Sequence, residues 1–170
     1  MDVLERLQKD HDALKRLFRS FDEAEGTPHA QRELFAQIRE ELELHERLED
    51  QIFYPAIRKA GSGGEHDRGK DLVAEAREAH REVEQLVGEV AALSAERRTY
   101  SERVARLRSA VERHVTWEER EMFPFARTHL SSERLLELGG RLSNRRRELS
   151  RRDPHAAVDL PGEAPRPHAT

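Results

Sequence analysis

One segment of eleven residues occurs twice in this chain, and the repeat constrains its fold more than any other feature. HERLEDQIFYP begins at His45 and HVTWEEREMFP begins at His114. Both copies place a glutamate four residues after the histidine and end on a proline. The offset between the copies, 69 residues, also brings His11 into register with His80. The chain therefore consists of two related halves, each with an isolated histidine followed by a His-x-x-x-Glu motif.

Apolar residues recur at steps of three and four in both halves, which predicts amphipathic helices. The four stripes cover residues 4–21, 34–52, 73–90 and 104–122. Pro28 indicates the start of the second helix, whereas Pro55 and Pro124 should kink or end the helices that carry the two motifs. Because helices joined by short loops are usually antiparallel neighbours, the sequence predicts an all-α, up-down-up-down four-helix bundle.

The chain continues beyond this bundle. We assign residues 1–130 to the bundle and residues 131–152 to an additional C-terminal helix that packs on it or extends it. Residues 153–170 are rich in proline, alanine and polar side chains, which is typical of a disordered tail.

Composition excludes several classes of function. The net charge is only -4 although 38% of the residues are charged, so no general basic field favours nucleic acid or a membrane surface. No apolar run approaches the roughly 20 residues that cross a bilayer, and the N-terminus does not resemble a signal peptide. We therefore expect a cytoplasmic protein. The absence of cysteine excludes disulfides, thiolate metal sites and cysteine nucleophiles.

The spacing of the four repeated histidines should bring them to one level of the bundle. His11 and His45 are 34 residues apart, as are His80 and His114, and each predicted turn lies about midway between them. With a rise of about 1.5 Å per residue, the chain goes up and returns to the same height. The glutamates of the two motifs, residues 49 and 118, should follow one turn later on the same inward face.

A buried layer of this composition predicts a metal centre. Two carboxylates in a core without a cation would repel each other or take up protons, and burying each one unpaired costs several kcal/mol. A pair of metal ions removes this cost, and Glu49 and Glu118 could each bridge the two ions. Imidazole and carboxylate without thiolate suit iron, manganese or zinc. The alternative is a plain structural bundle in which the histidines are ordinary core residues.

The order of these residues resembles that of the hemerythrin-like HHE cation-binding domains. It runs His11, His45-x-x-x-Glu49, His80 and His114-x-x-x-Glu118, with IFYP and EMFP behind the two motifs. The resemblance covers about residues 1–128 and implies a four-helix bundle with a non-haem di-iron centre. It implies that the four histidines are terminal ligands and that the two glutamates bridge iron ions that also share an oxo or hydroxo group. Zinc and manganese stay open by ligand type.

The chain departs from the oxygen-carrying members of that family in the third helix. Those proteins have a His-x-x-x-His pair there, whereas this chain has Ala76 four residues before His80 and Glu84 four residues after it. Glu84 is the first candidate for an extra ligand, and Glu46 and Tyr54 are weaker ones. With one histidine fewer, we expect more coordination positions to be open to small molecules.

This difference favours reaction over transport. We expect a di-iron protein that binds and reacts with dioxygen, hydrogen peroxide or nitric oxide, with catalase-like peroxide turnover as one form of that reaction. If it is an enzyme, it is an oxidoreductase with no catalytic residue beyond the metal centre. The alternative is a module that stores oxygen reversibly or senses iron or oxygen. A protein partner could dock on the basic C-terminal helix, through Arg145–Arg147, Arg151 and Arg152.

Overall fold

The described part of the chain consists mainly of α-helices. A computed structural model describes residues 1–60, 67–94 and 98–152. Within these ranges the helices are α1 (Val3–Glu23), α2 (Pro28–Leu48), α3 (Tyr54–Ala60), α4 (Arg68–Ala91), α5 (Arg98–Trp117), α6 (Phe123–His129) and α7 (Ser132–Arg152). The predicted all-α bundle with an additional C-terminal helix is confirmed. The predicted disordered tail lies outside the described residues.

A capping box, a glycine and a proline define the ends of the first two helices. The side chain of Asp2 accepts a hydrogen bond from the backbone N–H of Glu5, and the Glu5 side chain accepts one from the backbone of Asp2, which closes a capping box at the start of α1. Gly26 adopts a φ of 81°, a conformation that favours glycine, in the turn between α1 and α2. Pro28 then occupies the first turn of α2, as the sequence predicts. None of the helices in the described part of the chain combines the length and apolar character that a membrane span needs.

Two apolar clusters fill the bundle and leave a polar layer between them. One cluster contains Leu4, Leu7, Leu48, Phe53, Leu72, Ala76 and Met122 among others. The other contains Leu14, Phe18, Ile38, Leu42, Val83, Leu107 and Val111 among others. On α1, His11 separates Leu7 of the first cluster from Leu14 of the second. His80 has the same position on α4, between Ala76 and Val83.

The helices that carry the two motifs widen one turn after their histidines, at the glutamates. Residues Glu49–Phe53 and Glu118–Met122 form π-helical turns that connect α2 to α3 and α5 to α6. The backbone N–H of Tyr54 donates to the carbonyl of Glu49, and that of Phe123 donates to the carbonyl of Glu118. Each π-turn precedes a proline, which has no N–H and cannot close a regular helical turn. The predicted interruption is therefore a wider turn followed by a short helix.

Helix α7 packs against α1 and α2. Arg146 lies between the two helices: its guanidinium is 3.1 Å from the buried carboxylate of Asp10 on α1 and also pairs with Glu41 on α2. Arg145 hydrogen-bonds the side chain of Gln51 at 2.9 Å, so two arginines of the predicted partner surface contact the bundle itself. The division between a bundle at 1–130 and a helix at 131–152 stays a prediction.

Gly139 permits a close approach between α7 and the start of α1, and this contact is testable. A Cβ atom added at Gly139 would lie 2.6 Å from the carbonyl oxygen of Met1 and within 3 Å of backbone atoms of two further residues, whereas one at Gly140 meets open space. We expect Gly139→Ala to lower the free energy of unfolding by about 1–3 kcal/mol. Gly140→Ala should be neutral or stabilise by up to about 1 kcal/mol. Urea unfolding of both variants measures the difference, and equal effects would contradict this packing.

Candidate metal centre

The six residues predicted from the sequence meet in the polar layer. They are almost inaccessible to solvent: His11 0%, His45 2%, Glu49 0%, His80 4%, His114 6% and Glu118 0% exposed. Their nitrogen and oxygen atoms form two groups, each with all members within 4.8 Å of one another. The first position consists of His11, His45, Glu49 and Glu118. The second position consists of Glu49, His80 and His114.

Glu49 connects the two positions. Its Oε1 atom lies 3.2 Å from Nε2 of His45 and its Oε2 atom lies 3.2 Å from Nε2 of His80. Glu118 points one oxygen, Oε2, at Nε2 of His11 at 3.3 Å. A carboxylate whose two oxygens face different histidines can contribute one oxygen to each of two ions. The geometry of Glu49 is therefore that of a bridging ligand.

The first position contains polar atoms that lack hydrogen bonds. Four buried atoms there have no hydrogen-bond partner within the described residues: Nε2 of His11, Nε2 of His45, Oε1 of Glu49 and Oε2 of Glu118. Nearly all buried polar atoms in proteins are hydrogen-bonded, so four atoms without a hydrogen bond in one position need an explanation. Two imidazole nitrogens and two carboxylate oxygens are a donor set that suits divalent and trivalent metal ions. The residues present therefore fit a metal ion.

Tyr54 lies beside the second position. Its hydroxyl lies 3.0 Å from Oε2 of Glu49, 3.1 Å from Nε2 of His80 and 3.3 Å from Oε1 of Glu118. Nε2 of His80 is also 3.0 Å from Nε2 of His114. The π-turn accounts for this placement, because its hydrogen bonds join residues five apart and bring Tyr54 back to the face of Glu49. Of the three extra candidates, Tyr54 is the one whose side chain contacts the predicted ligands.

Glu84 and Glu46, the other two candidates for extra ligands, lie outside the two positions. Neither contributes an atom to the two positions, as far as the described residues extend. Both line a groove between α2 and α4 that reaches His80. Burial raises the pKa of the Glu46 carboxyl to about 7, although the nearby histidines His80 and His45 oppose the shift.

Glu119 is a residue that the sequence reasoning missed. Its Oε1 atom accepts a hydrogen bond from Nδ1 of His11 at 2.9 Å and another from the Gln8 amide at 2.9 Å. A carboxylate on the outer nitrogen of a metal-binding histidine fixes the ring and directs the other nitrogen inward. The outer nitrogens of His45 and His114 have no such partner among the described residues. In the sequence, the only sign of this role is that Glu119 directly follows the predicted ligand Glu118.

Without a metal ion, protons balance the charge of the layer. Burial alone would lower the pKa of His45 and of His80, but the surrounding carboxylates, Glu49 foremost, together outweigh burial and raise the pKa of each to about 9. The same contacts hold the pKa of Glu49 well below its usual range despite burial. Burial, reinforced by the charge of Glu49, raises the pKa of Glu118 to about 7. Burial also lowers the pKa of His114 to about 3, so this ring stays neutral.

Both the sequence and the fold of this chain resemble those of known proteins. The sequence profile of the family described as Hemerythrin HHE cation binding domain matches residues 2–126 and also residues 71–149. An uncharacterized protein of Mycobacterium tuberculosis, Rv2633c, is 29% identical over 152 residues, which cover 88% of each chain. A DNA nickase of Nostoc is 27% identical over 133 residues, which cover 78% of this chain but 36% of the nickase.

A solved structure shares the fold. The crystal structure of a hemerythrin HHE cation binding domain-containing protein from Mycobacterium kansasii, described as a homologue of Rv2633c, matches with a TM-score of 0.76 at 26% identity. The match covers 87% of this chain and 86% of that one. The first profile match contains all six residues of the two positions.

The raised pKa values of His45 and His80 predict how the stability of the folded protein depends on pH. His45 and His80 have a pKa raised above the unfolded value of 6.5, so their contribution is complete below pH 6.5 and is lost as the pH rises through about 9. A bound metal requires deprotonated ligands and removes this dependence. Between pH 7 and 9.5, we expect the melting temperature of chelator-treated protein to fall by about 5–10 °C relative to metal-loaded protein. Calorimetry of both forms tests this, and parallel curves would contradict it.

Proposed function

The chain belongs to the hemerythrin HHE cation-binding family, and from this premise we propose that it is a non-haem di-iron protein that reacts with dioxygen, hydrogen peroxide or nitric oxide. The observation that supports two ions rather than one is the placement of Glu49. Its two oxygens face His45 and His80, which belong to different positions, at 3.2 Å each.

The donor set fits iron, manganese or zinc, and we choose iron because two-metal carboxylate centres of this kind usually serve oxygen or redox chemistry. The six predicted ligands offer imidazole nitrogens and carboxylate oxygens, and the chain has no cysteine to attract softer metals. When bound, two adjacent iron ions supply the electrons and the Lewis acidity that reactions of dioxygen and peroxide require. The chemistry is then that of the cofactor, and the protein determines which molecules reach it.

The side chains around the ions would balance charge, orient ligands and exclude water. Glu49 and Glu118 offset the positive charge of the ions, and both are fully buried. Glu119 orients His11 through its outer nitrogen, 2.9 Å away. Phe123 stacks on the His11 ring with 5.9 Å between the ring centres and keeps water from that side. The Tyr54 hydroxyl can donate a hydrogen bond to Oε2 of Glu49.

The surroundings of His80 support reaction rather than reversible transport. Ala76, one of the two places where the second histidine of the oxygen carriers' pair would fall, is fully buried in the apolar core and offers no ligand. The phenol of Tyr54 lies 3.1 Å from His80 instead. A centre with one imidazole fewer and more oxygen donors favours oxidised iron, and it therefore favours reduction of the bound reactant over its release unchanged.

We expect Glu49→Ala and Glu118→Ala each to reduce the iron content from two ions per chain to one or none, since Glu49 joins the two positions and Glu118 is a ligand of the first position and the second bridge that the sequence predicts. Metal analysis after anaerobic reconstitution provides the count. Glu121→Ala is the matched control, because Glu121 lies in the same π-turn as Glu118 but is half exposed and pairs with Arg68. Two coupled irons in either of the first two variants would refute the bridging role.

The reaction itself requires a separate experiment. The two-iron protein is reduced without air and then given dioxygen or hydrogen peroxide, while the visible spectrum and gas release are recorded. We expect irreversible oxidation by dioxygen and loss of peroxide with release of oxygen gas. Oxygen uptake that reverses under vacuum would instead support the storage or sensing alternative and would contradict the proposal.

A further inference from the structure

The outer nitrogens of two predicted ligands, His45 and His114, need hydrogen-bond acceptors. Nδ1 of each ring is buried and has no hydrogen-bond partner among the described residues. A cavity of about 160 Å³ adjoins His114, and Ala79 and Ala110 form part of its wall. These two alanines, one on α4 and one on α5, thus mark the positions of the fold that lie beside the His114 ring.

The repeat places two carboxylates at the corresponding positions beside His45. The offset of 69 residues aligns Ala79 with Asp10 and Ala110 with Glu41. Glu41 precedes His45 by one helical turn, and a helical side chain covers the turn before its own Cα, so the His45 ring leans toward Glu41. Burial would lower the pKa of His45, and Asp10 is among the charges that outweigh burial and raise it. Both carboxylates therefore lie near the His45 ring.

Arg146 on α7 binds both carboxylates. Its guanidinium donates hydrogen bonds to both oxygens of Glu41 and lies 3.1 Å from Oδ1 of Asp10. Asp10 is only 5% exposed, and its Oδ2 atom is buried without a hydrogen-bond partner in the described part of the chain. Of the four carboxylate oxygens, Oδ2 of Asp10 is therefore the one that Arg146 leaves free.

We propose that Asp10 is a positioning residue for His45 and that Arg146 holds Asp10 in place. Nε2 of His45 faces the first position, so Nδ1 is the outer atom. An imidazole that binds a metal through one nitrogen keeps its proton on the other, and that proton needs an acceptor. Oδ2 of Asp10 accepts the proton of His45, as the carboxylate of Glu119 accepts that of His11.

Helix α7 is then a part of the metal centre. A chain of contacts leads from Arg146 through Asp10 to His45 and its ion, so retention of this ion depends on the contact between α7 and Asp10. The inference rests on the proposed function, because it requires that the polar layer binds iron. It adds the residues that hold one of the ligands from outside that layer.

Ferrous iron, titrated without air into metal-free protein, measures the effect of each side chain. We expect Asp10→Ala to weaken iron binding about 10–100-fold, and Asp10→Asn, which keeps an oxygen at the same place, by about tenfold at most. Arg146→Met should weaken binding because it releases Asp10. Arg147→Met is the matched control, since Arg147 is exposed and bonds only Asn144 of its own helix among the described contacts, and it should leave the affinity unchanged.

Asp10 and Arg146 should act as one unit. We expect the double variant, Asp10→Ala with Arg146→Met, to bind iron no more weakly than Asp10→Ala alone. If the two losses of affinity multiply instead, Arg146 acts on the iron by another route and the proposed chain of contacts is overturned.

Gly139→Ala separates the positioning role from a loss of stability. This variant disturbs the packing of α7 on the start of α1 without a contact to Asp10. We expect it to unfold at a lower urea concentration and to keep the iron affinity of the original chain. The same loss of affinity in Gly139→Ala and Asp10→Ala would show a structural role only and would overturn the inference.

The proton on Nδ1 of His45 can be observed directly. Ferrous iron moves the ring N–H signals of its histidine ligands away from the other signals of the proton NMR spectrum. We expect Asp10→Asn to move one of these signals and to speed its exchange with solvent, whereas Glu119→Gln should move a different one. Nε of Arg146 is the competing partner for Oδ2 of Asp10. If Oδ2 turns to it, Asp10→Asn leaves every ring N–H signal unchanged, and the inference is overturned.

The inference and the proposed function fail in different ways. Two irons per chain, bound as tightly by Asp10→Ala as by the original chain, would overturn the inference and leave the proposed function intact. One iron per chain would count against the proposed function, while a ring N–H signal that responds to Asp10→Asn would still support the inference. An unmodified chain that binds no iron would overturn both.

Discussion

Two carboxylates with no exposure to solvent, Glu49 and Glu118, determine the organisation of this molecule. An unpaired buried carboxylate costs several kcal/mol, and two in one layer add mutual repulsion. The four histidines reduce this cost, since His45 and His80 lie beside Glu49 and His11 lies beside Glu118. The compensation is incomplete, because four polar atoms of the first position lack hydrogen bonds. The fold thus maintains an arrangement that a bound cation would satisfy.

The rest of the bundle can be understood as support for this layer. Apolar clusters lie on both sides of it and keep water away. The π-turns begin at the two glutamates, so the helices widen where the carboxylates must face inward. Helix α7 covers α1 and α2 and connects them through Arg146, whose partners Asp10 and Glu41 lie close in sequence to His11 and His45. Distant parts of the chain therefore contribute to the rigidity of the site.

The sequence predicted the helices and the meeting of the six residues because both depend on spacing alone. Periodicity of 3.6 residues defines the stripes, and equal chain lengths on either side of each turn bring His11, His45, His80 and His114 to one height. The sequence did not predict the role of Glu119. In the sequence alone, a second glutamate beside Glu118 looks the same as a solvated residue on the flank of a helix. Tyr54 could be named but not oriented, since its direction depends on a π-turn, and Pro55 indicates only that the helix is interrupted.

The placement of iron is the most direct test of this account. A crystal structure of iron-loaded protein, with anomalous differences measured at the iron absorption edge, would show where the ions lie. We predict two peaks about 3–4 Å apart, one beside His11 and His45 and the other beside His80 and His114, with Glu49 between them. A single peak, or peaks that do not contact Glu49, would contradict the account.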